Sequence, residues 1–368
     1  MGKSTILLFV LSLFTACSGT KDVKEDAGTI ILEAGFEGGG KNTPFILSEV
    51  FDSVTYLPIR SDDVLIGMIG DIRYHNHRYY ILDSQQNMLY VMDETGHILN
   101  SISQKGPGPT EYITLQGFDV NPSNEEISLY DNSSKRIQVY SKEGTYLRSI
   151  QVDDIIRDFA VLDNGEYLFY TSDFMKGNRR GLWRADKEGR FKEQLVTIDD
   201  KFLYGGLYPK YFRRIDDATV GLMGTEDFDR IYHITANSMS VKYKIKTDRV
   251  IPEDLRSEPV LDFDKHKGLV YTKNDYVETE SLMSLTVTDM KKNMLVFYDK
   301  NTGKHWLVTE DSEIVDDIDM YMKSQFCGNN SFIGVLYPGF ILSFAVLQKQ
   351  FPDITSDSNP VLVISHVK

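Results

Sequence analysis

The chain has 368 residues, of which 41% are hydrophobic and 26% are charged, so it can build a large core and is not an intrinsically disordered chain. The chain has 40 Lys and Arg residues and 54 Asp and Glu residues, which gives a formal charge of −14. This negative charge argues against a surface that neutralises phosphates, so we expect no nucleic-acid partner. The 21 Tyr and 20 Phe residues favour β-structure, because aromatic side chains pack well on pleated sheets.

The N-terminus has the pattern of a secretory signal. Lys3 is followed by an apolar run at residues 6–14 and by small residues, which predicts a signal peptide over residues 1–16. The sequence Leu-Phe-Thr-Ala-Cys that ends at Cys17 resembles a bacterial lipobox, in which the cysteine is acylated and becomes the new N-terminus. We therefore expect a lipid on Cys17, a polar tether over residues 17–41, and a location in the cell envelope, at the outer membrane of a Gram-negative bacterium. An ordinary secretory signal is the alternative.

Two segments of the chain repeat at an interval of 48 residues. The shift places Asp83 on Asp131 and Gly96 on Gly144, with the apolar positions between them in phase. Each unit predicts a strand that ends in Asp, a polar loop, a second strand, an acidic turn with Gly and a third strand. The glycine supplies the positive φ that a tight hairpin requires.

Similar units recur further along the chain, with hairpin turns at residues 186–189 and 299–303 and a weaker copy at residues 231–245. About four strands every 40 to 50 residues indicate a β-propeller. Without two interruptions, at residues 252–276 and 337–358, the sequence holds about six units. We predict an all-β fold, a six-bladed β-propeller of four-stranded antiparallel blades over residues 42–368, with seven blades as the alternative.

The two ends of the predicted propeller each read as a strand, at residues 54–59 and residues 360–367. An open ring would expose the edges of its first and last blades. We therefore expect these two strands to meet in one composite blade. The apolar spacing over residues 340–351 predicts a short helix near the C-terminus.

Four features together resemble a known family: the lipobox, the hairpin from Asp to Gly, the loop Gly-Pro-Gly-Pro-Thr-Glu-Tyr at residues 106–112, and the ending Asn-Pro-Val-Leu at residues 359–362. The chain resembles six-bladed β-propeller lipoproteins of Bacteroidota, which are related in architecture to NHL-repeat propellers. In that family the loop usually reads Gly-x-Gly-Pro-Gly-Glu-Tyr, and Thr110 stands here in place of the third Gly. The family is largely uncharacterised, so the resemblance implies a fold and an address but no chemistry.

Four residues are candidate ligand contacts. Glu111 and Tyr112 lie in a Gly- and Pro-rich loop that is predicted to join one blade to the next, on a face where propellers bind ligands. The alternative is that Tyr112 packs inside and Glu111 caps backbone amides. Arg157 and Arg213 lie near predicted inner strands, where positive charge on an acidic protein can attract an anionic glycan or a carboxylate. The alternative is an ordinary salt bridge.

We predict no cofactor and no resident metal. His75 and His77 form a His-x-His pair, but their neighbours indicate a hairpin turn. Acidic runs at residues 226–229 and 316–319 could supply oxygen ligands for Ca²⁺, which we keep as an alternative. Cys327 lies beside an apolar segment and is predicted to be a buried, inert thiol.

The sequence contains no Gly-x-Ser-x-Gly, P-loop or His-Glu-x-x-His motif. These patterns indicate a serine nucleophile, a phosphate-binding loop and a zinc protease site, respectively. We expect a non-catalytic propeller that binds a glycan, a peptide or a partner protein at the cell envelope. A hydrolase or lyase acting on a carbohydrate at the central channel, with or without Ca²⁺, is the first alternative. A scaffold without a ligand pocket is the second.

Overall fold

The computed structural model describes residues 27–34, 45–61, 63–171, 179–198, 210–223, 229–247, 269–272, 275–289, 291–309, 312, 314–315 and 324–368. Most of their backbone is β-strand. The strands up to the third blade are β1 (Ile30–Glu33), β2 (Phe45–Ile46), β3 (Phe51–Pro58), β4 (Ile69–His75), β5 (Arg78–Asp83), β6 (Met88–Asp93), β7 (Ile98–Ile102), β8 (Leu115–Val120), β9 (Ile127–Asp131), β10 (Arg136–Tyr140), β11 (Tyr146–Gln151), β12 (Asp158–Val161), β13 (Tyr167–Thr171), β14 (Gly181–Ala185) and β15 (Phe191–Thr197).

The strands of the second half are β16 (Phe212–Arg214), β17 (Val220–Met223), β18 (Arg230–Ile234), β19 (Met239–Lys246), β20 (Tyr271–Thr272), β21 (Val277–Glu278), β22 (Leu282–Thr288), β23 (Asn293–Asp299), β24 (His305–Thr309), β25 (Ile314–Val315), β26 (Phe326–Gly328), β27 (Ser331–Leu336) and β28 (Val361–Val367). The described helices are a 3₁₀ turn (Leu47–Glu49) and two short helices, α1 (Pro338–Ile341) and α2 (Ala345–Gln350). None of the helices in the described ranges is long and apolar enough to cross a membrane.

The strands form six antiparallel blades around a central channel. Blades 1 to 4 are β4–β7, β8–β11, β12–β15 and β16–β19, each in chain order from the channel outward. In blade 5, β20 and β21 share the inner position before β22, β23 and β24, and blade 6 has the order β26-β27-β28-β3. The inner strands β4, β8, β12, β16, β21 and β26 follow one another around the ring. The predicted six-bladed all-β propeller is confirmed.

The ring closes through the composite blade that the sequence predicts. Strand β28 pairs antiparallel with β3, with Ile364 opposite Thr55 and Leu362 opposite Leu57. Helices α1 and α2 lie between β27 and β28, which confirms the predicted short helix in the second interruption of the repeat. Most of the first interruption, residues 252–268, lies outside the described residues.

Asn359 adds a side-chain link to this closure. Its Oδ1 accepts a hydrogen bond of 2.7 Å from the backbone amide of Ile66, and its Nδ2 donates one of 2.7 Å to the carbonyl of Val64. The segment before β28 is thus bonded to the segment that leads into blade 1. This is the structural role of the Asn in the Asn-Pro-Val-Leu ending.

Replacing Asn359 with Ala is expected to lower the free energy of unfolding by about 1–3 kcal/mol, because a buried amide and a partly buried carbonyl lose their partner. Urea denaturation followed by circular dichroism measures the change. Asp357→Ala, in an exposed position two residues away, is the control and should change stability by less than about 0.5 kcal/mol. Equal stability of both variants would show that the link at Asn359 does not hold the ring closed.

The aspartate of the sequence repeat connects loops within a blade. Asp131 accepts hydrogen bonds from the backbone amide of Ile113 at 3.0 Å, in the loop entering blade 2, and from the amide of Ser133 at 3.0 Å, in the turn after β9. In blade 1 Asp83 accepts an equivalent bond from Gly67 at 2.7 Å. The recurrence of Asp every 48 residues therefore reflects a backbone connection that each of these blades makes.

The glycine of the repeat occupies the predicted hairpin turn, which joins the third and fourth strands of a blade, such as β6 and β7 in blade 1. Gly96 and Gly144 have φ of +91° and +83°, the left-handed region that side chains oppose. At Gly96 a Cβ would also lie 2.2 Å from the carbonyl oxygen of Pro58. This turn packs directly against the outer strand of blade 6.

The hydrophobic core consists of separate sectors between neighbouring blades. Between blades 1 and 2, for example, Tyr80 and Val91 pack with Phe118 and Leu129, all completely buried. Strand β1 extends blade 4 as a fifth strand, parallel to β19, and its Leu32 joins the sector between blades 4 and 5. The sequence analysis predicted no strand there. Because the apolar side chains lie between the blades, the inner strands are left to line the channel.

Candidate ligand-binding cavity at one mouth of the channel

A cavity of about 990 Å³ opens at one end of the central channel. It is bordered mainly by the turns that follow inner strands, at residues 73–76, 122–125, 213–218 and 325–330. We call it the mouth cavity. Because each inner strand runs toward this end, hairpin turns from four different blades meet around one opening.

Seven charged side chains from the inner strands and their flanks lie in the channel at and beneath this cavity. We call them the channel floor; they are Asp71, Arg73, Asp119, Asp158, Lys210, Arg213 and Arg214. Six of them are buried and Arg214 is partly buried. Three are carboxylates and four are cations.

Asp119 is the centre of the best-paired group. Arg214 Nη2 lies 2.8 Å from its Oδ2 and Arg73 Nε lies 3.3 Å from its Oδ1, and the backbone amide of Val161 donates to it at 2.8 Å. Burial by itself would raise the pKa of Asp119, but the two arginines and the amide outweigh burial and lower it. Asp119 is therefore a carboxylate and not a proton donor.

The other two carboxylates are held by Lys210 and by the backbone. Lys210 Nζ lies 2.7 Å from Asp71 Oδ2 and 3.4 Å from Asp158 Oδ1. Asp158 Oδ2 also accepts hydrogen bonds from the amides of Tyr211 at 2.7 Å and Phe212 at 2.9 Å. These contacts link blades 1, 3 and 4 across the channel.

Arg213 differs from the other cations of the channel floor. Its Nε donates to the carbonyl of Tyr276 at 2.8 Å and its Nη1 to the carbonyl of Phe212 at 3.1 Å. It forms no ion pair with a carboxylate among the described residues, although only 8% of the residue is exposed. Burial, together with the charge of Arg73, lowers the pKa of Arg213 despite the attraction of Asp71 and Asp158.

The rim of the cavity is polar. His75 Nδ1 lies 3.3 Å from Asp217 Oδ1, whereas the neighbouring His77 turns to Glu94 at 3.1 Å. The two histidines thus have different partners, and Asn76 and His77 have φ of 45° and 61°, as in the predicted hairpin turn.

No group of three or more potential metal-ligating side chains converges within the ranges that the structure describes. The acidic run at residues 316–319 lies outside those ranges, as do residues 226–228 of the other run. The alternative of a Ca²⁺ site at these runs remains a prediction.

Cys327 borders the mouth cavity from β26. Its Sγ lies 3.1 Å from the carbonyl oxygen of Glu278 and 3.7 Å from that of Arg214. Burial is the main influence on this thiol and raises its pKa. Cys327 is partly buried and not fully buried as predicted, but because the thiolate is the nucleophilic form, its raised pKa favours an inert thiol.

Of the four candidate residues from the sequence, Arg213 alone lies in the mouth cavity. Glu111, Tyr112 and Arg157 lie before inner strands β8 and β12, at the opposite end of the channel. The hydroxyl of Tyr112 is buried and donates to the carbonyls of Asn87 and Ile102 at 3.0 Å. Glu111 Oε2 accepts the amide of Gly108 at 2.8 Å. The contacts of both residues match the structural alternative given above.

Arg157 is partly buried. Its backbone amide donates to the carbonyl of Tyr170 at 2.8 Å, and its own carbonyl accepts from Gln116 at 3.0 Å. The structure therefore does not bring the four candidates together. The sequence analysis missed Arg73 and Asp119. Their signal was a charged residue at alternate positions of otherwise apolar strands, because such positions face the channel.

Family assignment follows from the sequence itself. The model of a family described as a domain of unknown function, DUF4934, matches residues 37–366. The chain belongs to this family. No curated protein matches the sequence.

Solved structures show the same fold. A protein of Bacteroides fragilis whose name describes it as exported has a TM-score of 0.74 and 17% identity, over 92% of this chain and 99% of that one. A member of the DUF4221 family from Bacteroides vulgatus has a TM-score of 0.51 and 10% identity, over 87% and 97%. At these identities the likeness shows the fold alone. The predicted propeller fold is thus confirmed, and the lipoprotein and NHL-like parts of the predicted resemblance stay predictions.

Proposed function

We propose that this protein is an exported propeller of the cell envelope that binds an oligosaccharide in the mouth cavity without transforming it. The observation that carries the proposal is the cavity, whose volume of about 990 Å³ is in the range of ligand sites. Its wall offers the side-chain amides of Asn124, Asn329 and Asn330 and the aromatic residues Tyr74 and Phe326. Sugar hydroxyls require such hydrogen-bonding groups, which are spread here over several blades.

The contacts of the channel floor favour binding over catalysis. Glycoside hydrolysis uses a pair of carboxyl groups, one of which keeps a proton through a raised pKa. Asp119 has a lowered pKa, and Asp71 and Asp158 are paired with Lys210. The carboxylates of the described floor are therefore already engaged with cations.

The proposed location rests on the N-terminal sequence and on a relative. Residues 1–16 have the pattern of a signal peptide, and Cys17 stands where a lipobox cysteine stands. The structurally similar Bacteroides fragilis protein carries a name that describes it as exported. We propose that a lipid on Cys17 holds the propeller at the outer membrane.

Ala218→Trp is expected to weaken oligosaccharide binding at least about tenfold, because Ala218 lies exposed on the cavity wall and an indole would fill the opening. Isothermal titration of the full-length protein with neutral and acidic oligosaccharides measures the effect. Ser356→Trp, an exposed position away from the cavity, is the matched control and should bind as the native protein does.

Three results would contradict the proposal. Equal binding by the two tryptophan variants would place the site elsewhere. Binding of peptides but of no saccharide would change the ligand class to the peptide or protein partner that the sequence leaves open. Release of new reducing ends or unsaturated products would favour the hydrolase or lyase alternative.

A further inference from the structure

We infer that the sugar ligand of the mouth cavity carries a carboxylate, and that the guanidinium of Arg213 binds this carboxylate at the base of the cavity. The inference rests on the proposed function and specifies its ligand as an acidic oligosaccharide, of the uronate type. It is carried by the contacts of Arg213, by the charges around it and by the opening above it.

The charges of the channel floor do not balance. Asp71, Asp119 and Asp158 face four cations, and all three carboxylates have ion pairs with Arg73, Lys210 or Arg214. Within the described part of the chain Arg213 is left with backbone carbonyls only. Burying a charge without a counter-charge is costly. An anionic group of the ligand would offset that cost. The lowered pKa of Arg213 agrees with the cost of burying this cation.

The guanidinium is held in place and one side of it remains available. Nε and Nη1 are bonded to the carbonyls of Tyr276 and Phe212, and Nη2 has no hydrogen bond to any described residue. Tyr276 is itself restrained, because its hydroxyl donates to the buried carboxylate of Glu278. A fixed donor loses little side-chain entropy on binding. Arg214 lies alongside, with a buried Nε that has no hydrogen-bond partner among the described residues.

The surroundings favour a single carboxylate over a more highly charged anion. Among the described residues, the channel floor carries one more positive charge than negative charges, and one carboxylate would neutralise it. Asp216, Asp217 and Glu280 border the cavity, and these carboxylates would repel a phosphate dianion or a string of anionic groups. A guanidinium presents a planar fork of donors that matches a carboxylate.

The test uses the disaccharide galacturonosyl-rhamnose, which carries one carboxylate, and its methyl ester, which carries none, with the full-length protein. The native protein should bind the acid at least about tenfold more tightly than the ester, as expected for a hydrogen bond to a charged group. Arg213→Met should bind the acid as weakly as the ester and leave the affinity for the ester unchanged. Arg190→Met removes the same charge from an exposed arginine in the hairpin before β15 and should keep the preference.

A second variant guards against a folding defect. Should Arg213→Met unfold at a lower urea concentration than the native protein, Arg213→Lys keeps the charge without the planar fork and should show a reduced preference for the acid. An undiminished preference in the folded lysine and methionine variants would overturn the inference.

The outcomes separate this inference from the proposed function. Equal affinity of the native protein for acid and ester overturns the inference and leaves oligosaccharide binding intact. Binding of neither form, nor of any other saccharide, overturns both. A peptide that binds through a free C-terminal carboxylate but not as its amide, with no binding of galacturonosyl-rhamnose, overturns the acidic glycan as the ligand class.

Discussion

Replacing Glu278 with Ala is expected to lower the free energy of unfolding by about 3–5 kcal/mol, the range for breaking a buried ionic network from one side. Glu278 is completely buried. Its carboxylate accepts hydrogen bonds from His233 at 2.9 Å, from Lys300 at 2.9 Å and from the hydroxyl of Tyr243 at 2.8 Å, and Tyr276 also donates to it. Alanine would leave these donors without their acceptor between blades 4 and 5.

Urea denaturation followed by tryptophan fluorescence measures this loss, since Trp183 is buried. Glu280→Ala is the matched control, because Glu280 is exposed two residues away and its removal should cost less than about 0.5 kcal/mol. A loss below about 1 kcal/mol in Glu278→Ala would contradict the network as described.

The carboxylate of Glu278 also predicts how the stability of the protein depends on pH. Burial by itself would raise the pKa of Glu278, but the hydrogen bond and charge of His233 and the charge of Lys300 lower it to about 2. A carboxyl with a lowered pKa contributes stability above its unfolded pKa of about 4.5, and that stability is lost as the pH falls toward 2. The native protein should therefore lose more stability than Glu278→Gln over this interval.

Replacing Asp131 with Ala is expected to lower the free energy of unfolding by about 2–4 kcal/mol, because one buried carboxylate accepts four hydrogen bonds. In addition to Ile113 and Ser133, Asp131 accepts the amide of Thr114 at 3.1 Å and the hydroxyl of Ser134 at 2.6 Å. Burial opposes ionisation, yet these hydrogen bonds lower the pKa of Asp131. The loss of Asp131 would release both the loop that enters blade 2 and the turn after β9.

The measurement is the urea midpoint of three variants. Asp131→Asn keeps one oxygen acceptor and should fall between the native protein and Asp131→Ala. Asn132→Ala, at the exposed neighbouring position, should cost less than about 1 kcal/mol. If Asp131→Ala were no less stable than Asn132→Ala, the repeated aspartate would have no connecting role.

The buried charges of the channel floor lie where the inner strands of different blades meet. Apolar sectors between blades, such as that around Phe118, supply most of the buried hydrophobic surface. The ion pairs of Asp119 with Arg73 and Arg214 instead join blades 1, 2 and 4. Ion pairs of this kind require particular partners, so we expect the channel floor to contribute to the arrangement of the blades more than to their stability.

Much of the fold was predictable because its signals are local. A glycine at the positive φ of Gly96 and Gly144, and an aspartate that accepts nearby amides as Asp131 does, are requirements of single turns. They recur with the blade and so reveal the repeat. The closing strands were predictable for a related reason, since β3 and β28 each carry a strand pattern and a ring leaves no other place for two unpaired ends.

The candidate site was predictable only in part. The loop at residues 106–112 drew attention because Gly and Pro restrict the backbone, yet that restriction places Tyr112 inside and engages Glu111 with Gly108. Arg213 was identified from its charge and position near an inner strand. Nothing in the sequence indicated that Arg213, unlike Arg73, lacks a carboxylate partner among the described residues.

The sequence by itself determined the repeat and the closing of the ring and favoured six blades over seven, because turn chemistry and strand pattern act over a few residues and recur in each unit. Only the tertiary structure decided which charges meet in the channel. Asp71, Asp119 and Arg213 come from blades 1, 2 and 4, and ring closure brings them together across separations of up to 142 residues. Which cation then remains unpaired depends on three-dimensional distances, and no local pattern records those.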